Sequence, residues 1–314
     1  MPGHGSRALE RCLEEARITG RLDHPGVVPL HDLGIDSRGR SFFTMRLVRG
    51  RDLKDVFALV RAGDPAWSLA RALEVLLKVC DAMAFAHSRG VIHRDLKPAN
   101  VRVGDFGEVY VMDWGLARDL RRADAHDLRM RADGDAGERP QSADVDADAD
   151  GDLTGSPLVT MDGEVLGTPA YMAPEQAAGK LDELGPRSDV YSVGAMLYHL
   201  LTGRMPYGSN GERARRRTPR QVLEAVRAGP PEPVSTLRPD APPELAAVCA
   251  KAMRRDPLER YAGMRELAAD LRAFLDSHVV GAYRTGAWAA FEKWVARNRA
   301  LAASLEGMLV LFCA

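Results

Sequence analysis

Apolar and polar positions follow a helical period over 6–22, where Leu9, Leu13, Ala16 and Thr19 or Gly20 recur on one side and Ser6 is placed to cap. Glu10, Glu14 and Glu15 lie on or beside the polar face. His24-Pro25 ends the segment, because a residue before proline avoids the helical region. Two β-type runs, 27–33 and 41–48, then flank a turn at 36–39, the pattern of an antiparallel hairpin. After Arg49-Gly50-Arg51-Asp52 a short helix is expected from Leu53 to about Arg61. Ser68 caps a longer one over 69–89, with Leu73, Leu76, Leu77, Cys80, Met83, Ala84 and His87 as its apolar stripe and Gly90 as its stop. His87 on that stripe reads as a packed core residue rather than a ligand. The runs 101–103 and 108–112 predict a second hairpin around Gly104-Asp105-Phe106-Gly107. Further helices are expected over 189–201 (capped by Ser188, ended by Gly203), from Thr218-Pro219 to Ala228, from Pro242-Pro243 to about Arg254, and after Gly263 to Leu275. Beyond Leu53 the pattern is mainly helical.

Composition changes this picture in two places. Residues 119–152 are rich in Asp, Ala, Arg and Gly and carry few large apolar side chains, so the insert 119–160 is expected to stay disordered. Within it, Asp146, Asp148 and Asp150 imitate the start of a calcium loop, but the twelfth position is Pro157 instead of a glutamate, which argues against calcium. At the other end, Trp288, Trp294, Arg297 and Arg299 precede an apolar tail, 301–314. Aromatics and arginines in that order resemble the approach to a membrane span. Fourteen residues at about 1.5 Å each reach only about 21 Å of a roughly 30 Å hydrocarbon layer. The expectation is therefore a cytoplasmic protein, membrane-associated at its C-terminus only if the tail extends.

The bulk numbers set wider bounds. The 314 residues are 46% hydrophobic, enough for a sizeable core. A net charge of −1 argues against bulk electrostatic binding of nucleic acid. Cys12, Cys80, Cys249 and Cys313 form no C-x-x-C pair, so neither a zinc site nor a disulfide framework is indicated. The N-terminus has no apolar core of a secretory signal. The run Arg213 to Arg217 reads as a solvated loop.

The densest chemistry lies in His93-Arg94-Asp95-Leu96-Lys97-Pro98-Ala99-Asn100. Pro98 bars a regular helix, so a carboxylate, an ammonium and a carboxamide share one rigid loop. Further along come Asp113-Trp114-Gly115-Leu116-Ala117, then Gly167-Thr168-Pro169-Ala170-Tyr171-Met172-Ala173-Pro174-Glu175, Ser188-Asp189-Val190-Tyr191-Ser192, and Asp256-Pro257-Leu258-Glu259-Arg260-Tyr261. This ordered series resembles the eukaryotic-like serine/threonine protein kinases of bacteria, over roughly 6–276.

The resemblance implies an α+β, protein-kinase-like bilobal fold, with a truncated small lobe over 1–48 and a mainly α-helical large lobe over 49–276. A membrane-proximal segment would follow at 277–300. It implies transfer of the ATP γ-phosphate to Ser/Thr hydroxyls of protein substrates, with ATP and Mg²⁺ as cofactors. By resemblance Asp95 deprotonates the acceptor hydroxyl, Lys97 steadies the phosphoryl group, Thr168 bridges those two, and Asn100 and Asp113 hold Mg²⁺. Met45, Leu47 and Val48 would form the adenine-facing hinge and Asp52 would reach the ribose. Glu175 would pair with Arg260, and Asp189 would hold the backbone of the catalytic loop. Of two aspartates in the right context, Asp113 is assigned to the metal: it lies 18 residues after Asp95, behind a strand. Asp105, in the literal D-F-G, sits where the hairpin needs a turn. Thr154, Ser156, Thr160 and Thr168 are candidate phosphorylation points.

Two expected features are missing. No G-x-G-x-x-G precedes residue 50, and the first lysine is Lys54. Glu15 matches the helix glutamate of the family, but its strand lysine is absent. Two readings follow: a serine/threonine kinase read from a late start, or a pseudokinase-like binding or scaffold protein. Either way, residues 1–314 by themselves are expected to transfer phosphate poorly.

Overall fold

The computed structural model describes residues 13–37, 40–121, 169–208 and 217–283. Expectations for Ser6, Thr154, Ser156, Thr160, Thr168, the calcium-like run, most of the basic run and the tail after 283 lie outside them.

Helix α1 covers 13–19. Its buried side overlaps the expected one: Ala16 and Thr19 are buried, with Ile18 and Leu22 beside them, but Leu13 at the start is 39% exposed. Strands β1 (Leu30–Ile35) and β2 (Ser41–Met45) form an antiparallel hairpin in which Leu33 faces Phe43 and Ile35 faces Ser41. The Asp36 carboxylate closes the turn by accepting from Arg40 N and Nε, both at 2.8 Å. β2 stops at Met45, short of the expected 48, and 46–50 becomes a connecting strap.

Two strand pairs have no signal in the pattern. β3 (Arg51–Asp52) pairs with β5 (Val101–Val103), which also pairs with β6 (Val109–Val111). β4 (Val91–Ile92) pairs with β7 (Arg118–Asp119). Between β5 and β6 the turn at 104–107 carries Phe106, 94% exposed, as turn chemistry requires of the literal D-F-G.

Three helices begin where a side chain satisfies orphan backbone N–H groups: Asp52, Ser68 and Thr218 cap the segments starting at 53, 69 and 219. α2 (Leu53–Ala62) is capped by Asp52, which accepts from Asp55 N, and stops at Gly63 with φ 71°. α3 (Leu69–Ser88) is capped by Ser68. After the short α4 (Pro174–Ala177), α5 (Pro186–Thr202) begins a turn earlier than expected, because Pro186 fits the first helical position and Ser188 lies inside. α6 (Pro219–Ala228) and the short α7 (Val234–Leu237) follow. α8 (Pro243–Ala252) ends two residues early, and α9 (Met264–Leu275) closes the body. α5 is buried on nearly every side, as a helix apolar all round must be. α8 packs on α5, and α9 on α3, around fully buried Leu73, Leu76, Met83, Met196, Leu245 and Leu271. The result is a helix-rich α+β fold with small antiparallel sheets. Among the described residues no helix is long and apolar enough to cross a membrane.

Candidate active site

Strand β4 delivers the loop 93–97 from the core, and a 3₁₀ turn, Pro98–Asn100, hands it to β5. The loop is held from below by Asp189 of α5, 1% exposed. Its Oδ2 accepts from His93 N at 2.9 Å and its Oδ1 from Arg94 N at 3.0 Å. Arg94 sits at φ 66°, a conformation costing on the order of 1–3 kcal/mol outside glycine and sustained only by surrounding contacts. Those contacts are present: Arg94 Nε donates to Leu116 O at 2.6 Å, and Gln176 Nε2 donates to Arg94 O at 2.6 Å.

Asp189 has a further partner in His87, whose Nε2 lies 2.8 Å from Oδ2. His87 is thus more than the packed core residue its stripe implied; it braces the anchor of the loop. The signal available in sequence was its place at the end of α3, six residues before His93. Burial alone would push the Asp189 carboxyl up, but the hydrogen bond and charge of His87, with His93 beside it, hold it below its ordinary value. The unfolded value is about 3.9. Stability from Asp189 is therefore complete above that pH and lost as pH falls through the depressed folded value. Acid unfolding followed by circular dichroism below about pH 4 is expected to be shallower in Asp189→Asn than in the parent; identical acid limbs would rule this out.

Three polar groups converge on the loop. Lys97 Nζ lies 2.6 Å from Asp95 Oδ2. Asn100 Nδ2 donates to Asp95 O at 2.9 Å and to Asp95 Oδ2 at 3.2 Å. This leaves the amide oxygen of Asn100 as its remaining donor atom toward a cation. β6 then returns the chain: Met112 N donates to Asn100 O at 2.8 Å, and His93 Nε2 to Met112 O at 3.0 Å. Because that carbonyl only accepts, His93 Nε2 carries the proton, and its Nδ1 accepts from Asp95 N at 3.3 Å. Asp113 follows, exposed and at φ 60°, and Trp114 plugs the core with its ring 4.7 Å from that of His93. Asp105 is at the far end of the hairpin.

Glu15 reaches the same place from α1. A β-carbon built on Gly115 would lie 3.3 Å from Glu15 Oε2 and 3.4 Å from Asp113 Oδ1. Burial and then the Asp113 charge raise the Glu15 carboxyl above its ordinary value. Among the described residues no cation pairs with it. Glu175 and Arg260 form a buried bidentate pair at 2.8 and 2.7 Å, and Ser188 Oγ donates to the same carboxylate at 2.8 Å. Met45 ends β2, half-exposed Val48 and 81% exposed Leu47 lie on the strap, and Asp52 Oδ1 is engaged as the cap of α2. A groove of about 780 Å³ lies elsewhere, between α2 and Asp105.

Residues 3–139 and 152–271 match the protein kinase domain. The chain belongs to the protein kinase family. It is 31% identical over 277 residues to "Serine/threonine-protein kinase PknD" of Protochlamydia amoebophila, a match covering 85% of this chain and 26% of that protein. It is 36% identical over 265 residues to "Probable serine/threonine-protein kinase CE0033" of Corynebacterium efficiens, covering 83% and 34%. A third relative, PknD of Chlamydia pneumoniae, is 32% identical over 272 residues, covering 84% and 26%. The chain thus spans about a quarter to a third of the length of these curated relatives. Membership of the protein kinase family implies the use of ATP and a divalent metal in general.

Proposed function

We propose that the chain is a serine/threonine protein kinase, transferring the γ-phosphate of ATP to a protein hydroxyl. The observation that carries this reading is the convergence of Asp95, Lys97 and Asn100 on one loop locked by Asp189, with Asp113 returned to it by β6. In this reading 49–276 is the large lobe and the hairpin with α1 belongs to the small one.

Each residue then has a task. Asp95 accepts the proton of the acceptor hydroxyl as its oxygen attacks the γ-phosphorus, whose bond to the β–γ bridging oxygen breaks and releases ADP. Lys97, already ion-paired at this loop, neutralises charge on the phosphoryl oxygens during transfer. The Asn100 amide oxygen and the exposed Asp113 carboxylate are oxygen donors of the kind Mg²⁺ prefers, so the residues fit the metal the family uses. Bound there with ATP, the metal would neutralise the β- and γ-phosphate oxygens. Met45, Leu47 and Val48 would line the adenine and Asp52 the ribose. Glu15 stands against Asp113 without a cation among the described residues, which supports poor transfer by these residues alone.

The full chain incubated with ATP, Mg²⁺ and casein is expected to form phosphoserine or phosphothreonine slowly. Phosphotyrosine alone, or nucleotide binding with no transfer at all, would overturn the reading, the second outcome in favour of a non-catalytic binding protein.

A further inference from the structure

The catalytic loop has two flanks. On one side α2 packs against Pro98–Asn100. On the other, Gln176 ties the segment after Tyr171 to Arg94 O. His199 of α5 forms the floor that joins them. Its Nδ1 lies 2.8 Å from Tyr171 Oη, and its ring meets Phe57 of α2 edge-on, with centroids 5.4 Å apart. A polypeptide presenting a hydroxyl to Asp95 would have to approach between these flanks.

The charge around the floor has one sign. Lys54, Phe57 and Arg61 recur at i, i+3 and i+7, so both cations share the stripe of α2 that meets His199. Arg61 Nη1 donates to Gly203 O at 3.2 Å, at the end of α5. Burial first, then the charges of Arg61 and Lys54, bring His199 down to about 4, so it is neutral near pH 7. Burial pushes the Tyr171 phenol up, so it keeps its proton and is able to donate it to Nδ1. The nearby carboxylates are turned elsewhere. Asp55 lines the groove on the other face of α2 with Ala58, Ala62 and Asp105. Asp52 caps α2, Asp64 Oδ1 accepts from Ala66 N, and Glu175 is closed against Arg260.

We propose that this floor selects polypeptide substrates with acidic side chains beside the acceptor hydroxyl: Lys54 and Arg61 receive the carboxylates, and His199 determines specificity by keeping negative charge out of the floor. The inference rests on the protein-kinase reading of the same site. Its test is binding, which needs no turnover, so the two readings fail separately.

Fluorescein-labelled octapeptides with one threonine, preceded by three aspartates or by three arginines, are titrated with the full chain and followed by anisotropy. The aspartate peptide is expected to bind at least tenfold tighter, with the advantage shrinking as salt screens the exposed cations. Lys54→Glu, an exposed change that spares the core, is expected to abolish the advantage, and His199→Glu to reverse it. Lys180→Glu, a surface control away from the loop, should leave it intact. Equal affinities, tighter binding of the arginine peptide, no binding of either up to millimolar protein, or an advantage that survives Lys54→Glu would each overturn the proposal. Selective binding without phosphate transfer sinks the catalytic reading alone.

Discussion

Asp95→Asn is expected to lower phosphate transfer by roughly 10²–10⁴-fold, the usual contribution of a positioned general base. The substitution is close to isosteric. An asparagine keeps a carbonyl oxygen for the contacts that Lys97 Nζ and Asn100 Nδ2 now make with Oδ2. What disappears is the negative charge and the ability to take a proton. The loop itself is held by Asp189 through the backbone of His93 and Arg94, not by the Asp95 side chain, so the fold should survive. Initial rates under saturating ATP, beside thermal melts of both proteins, separate these effects. A variant that keeps more than about a tenth of the parent rate, well above the range for a lost general base, would remove Asp95 from the chemistry.

Arg260→Ala is expected to cost about 3–5 kcal/mol of folding stability, because it strands a buried carboxylate. Against a total of roughly 5–15 kcal/mol for an ordinary domain, that is a large share. The Arg260 side chain is fully buried and that of Glu175 is 3% exposed. The guanidinium also donates to the carbonyls of Arg187, Arg254 and Arg255, so its loss orphans acceptors from three places. Among the described residues Ser188 Oγ would remain the one side-chain donor reaching Glu175, which is too little for a buried charge. Urea unfolding monitored by circular dichroism gives the measurement. Arg260→Met with Glu175→Gln should recover part of the loss, since two neutral groups leave no stranded charge. A loss below about 1 kcal/mol in the single variant, the scale of an exposed ion pair, would mean the pair is not what joins α4 to the chain before α9.

The long helices were legible because one stripe of α2, α3, α6 and α9 is apolar over several turns. The resemblance supplied Asp95, Asn100, Asp113 and the Glu175–Arg260 partnership, and hairpin spacing separated Asp113 from Asp105. The rest depended on distance along the chain. Arg51 pairs with Val103 and Val91 with Asp119, in strands of two or three residues that are too short to show a period. α1 buries Ala16 and Thr19 of its expected stripe but adds Ile18 and leaves Leu13 exposed. His87 looked like core because its stripe is core; only the fold brings Asp189 within its reach. Tyr171 and His199 lie 28 residues apart and belong to different elements, so nothing local announced their bond.

Asp189 and His199 stand on the same buried rod, ten residues apart, which an α-helix converts to about 15 Å. One end fixes the reacting loop and the other underlies the approach to it. The rod therefore acts as a ruler: recognition can be rewritten at its far end, residue by residue, while the distance to the chemistry stays set.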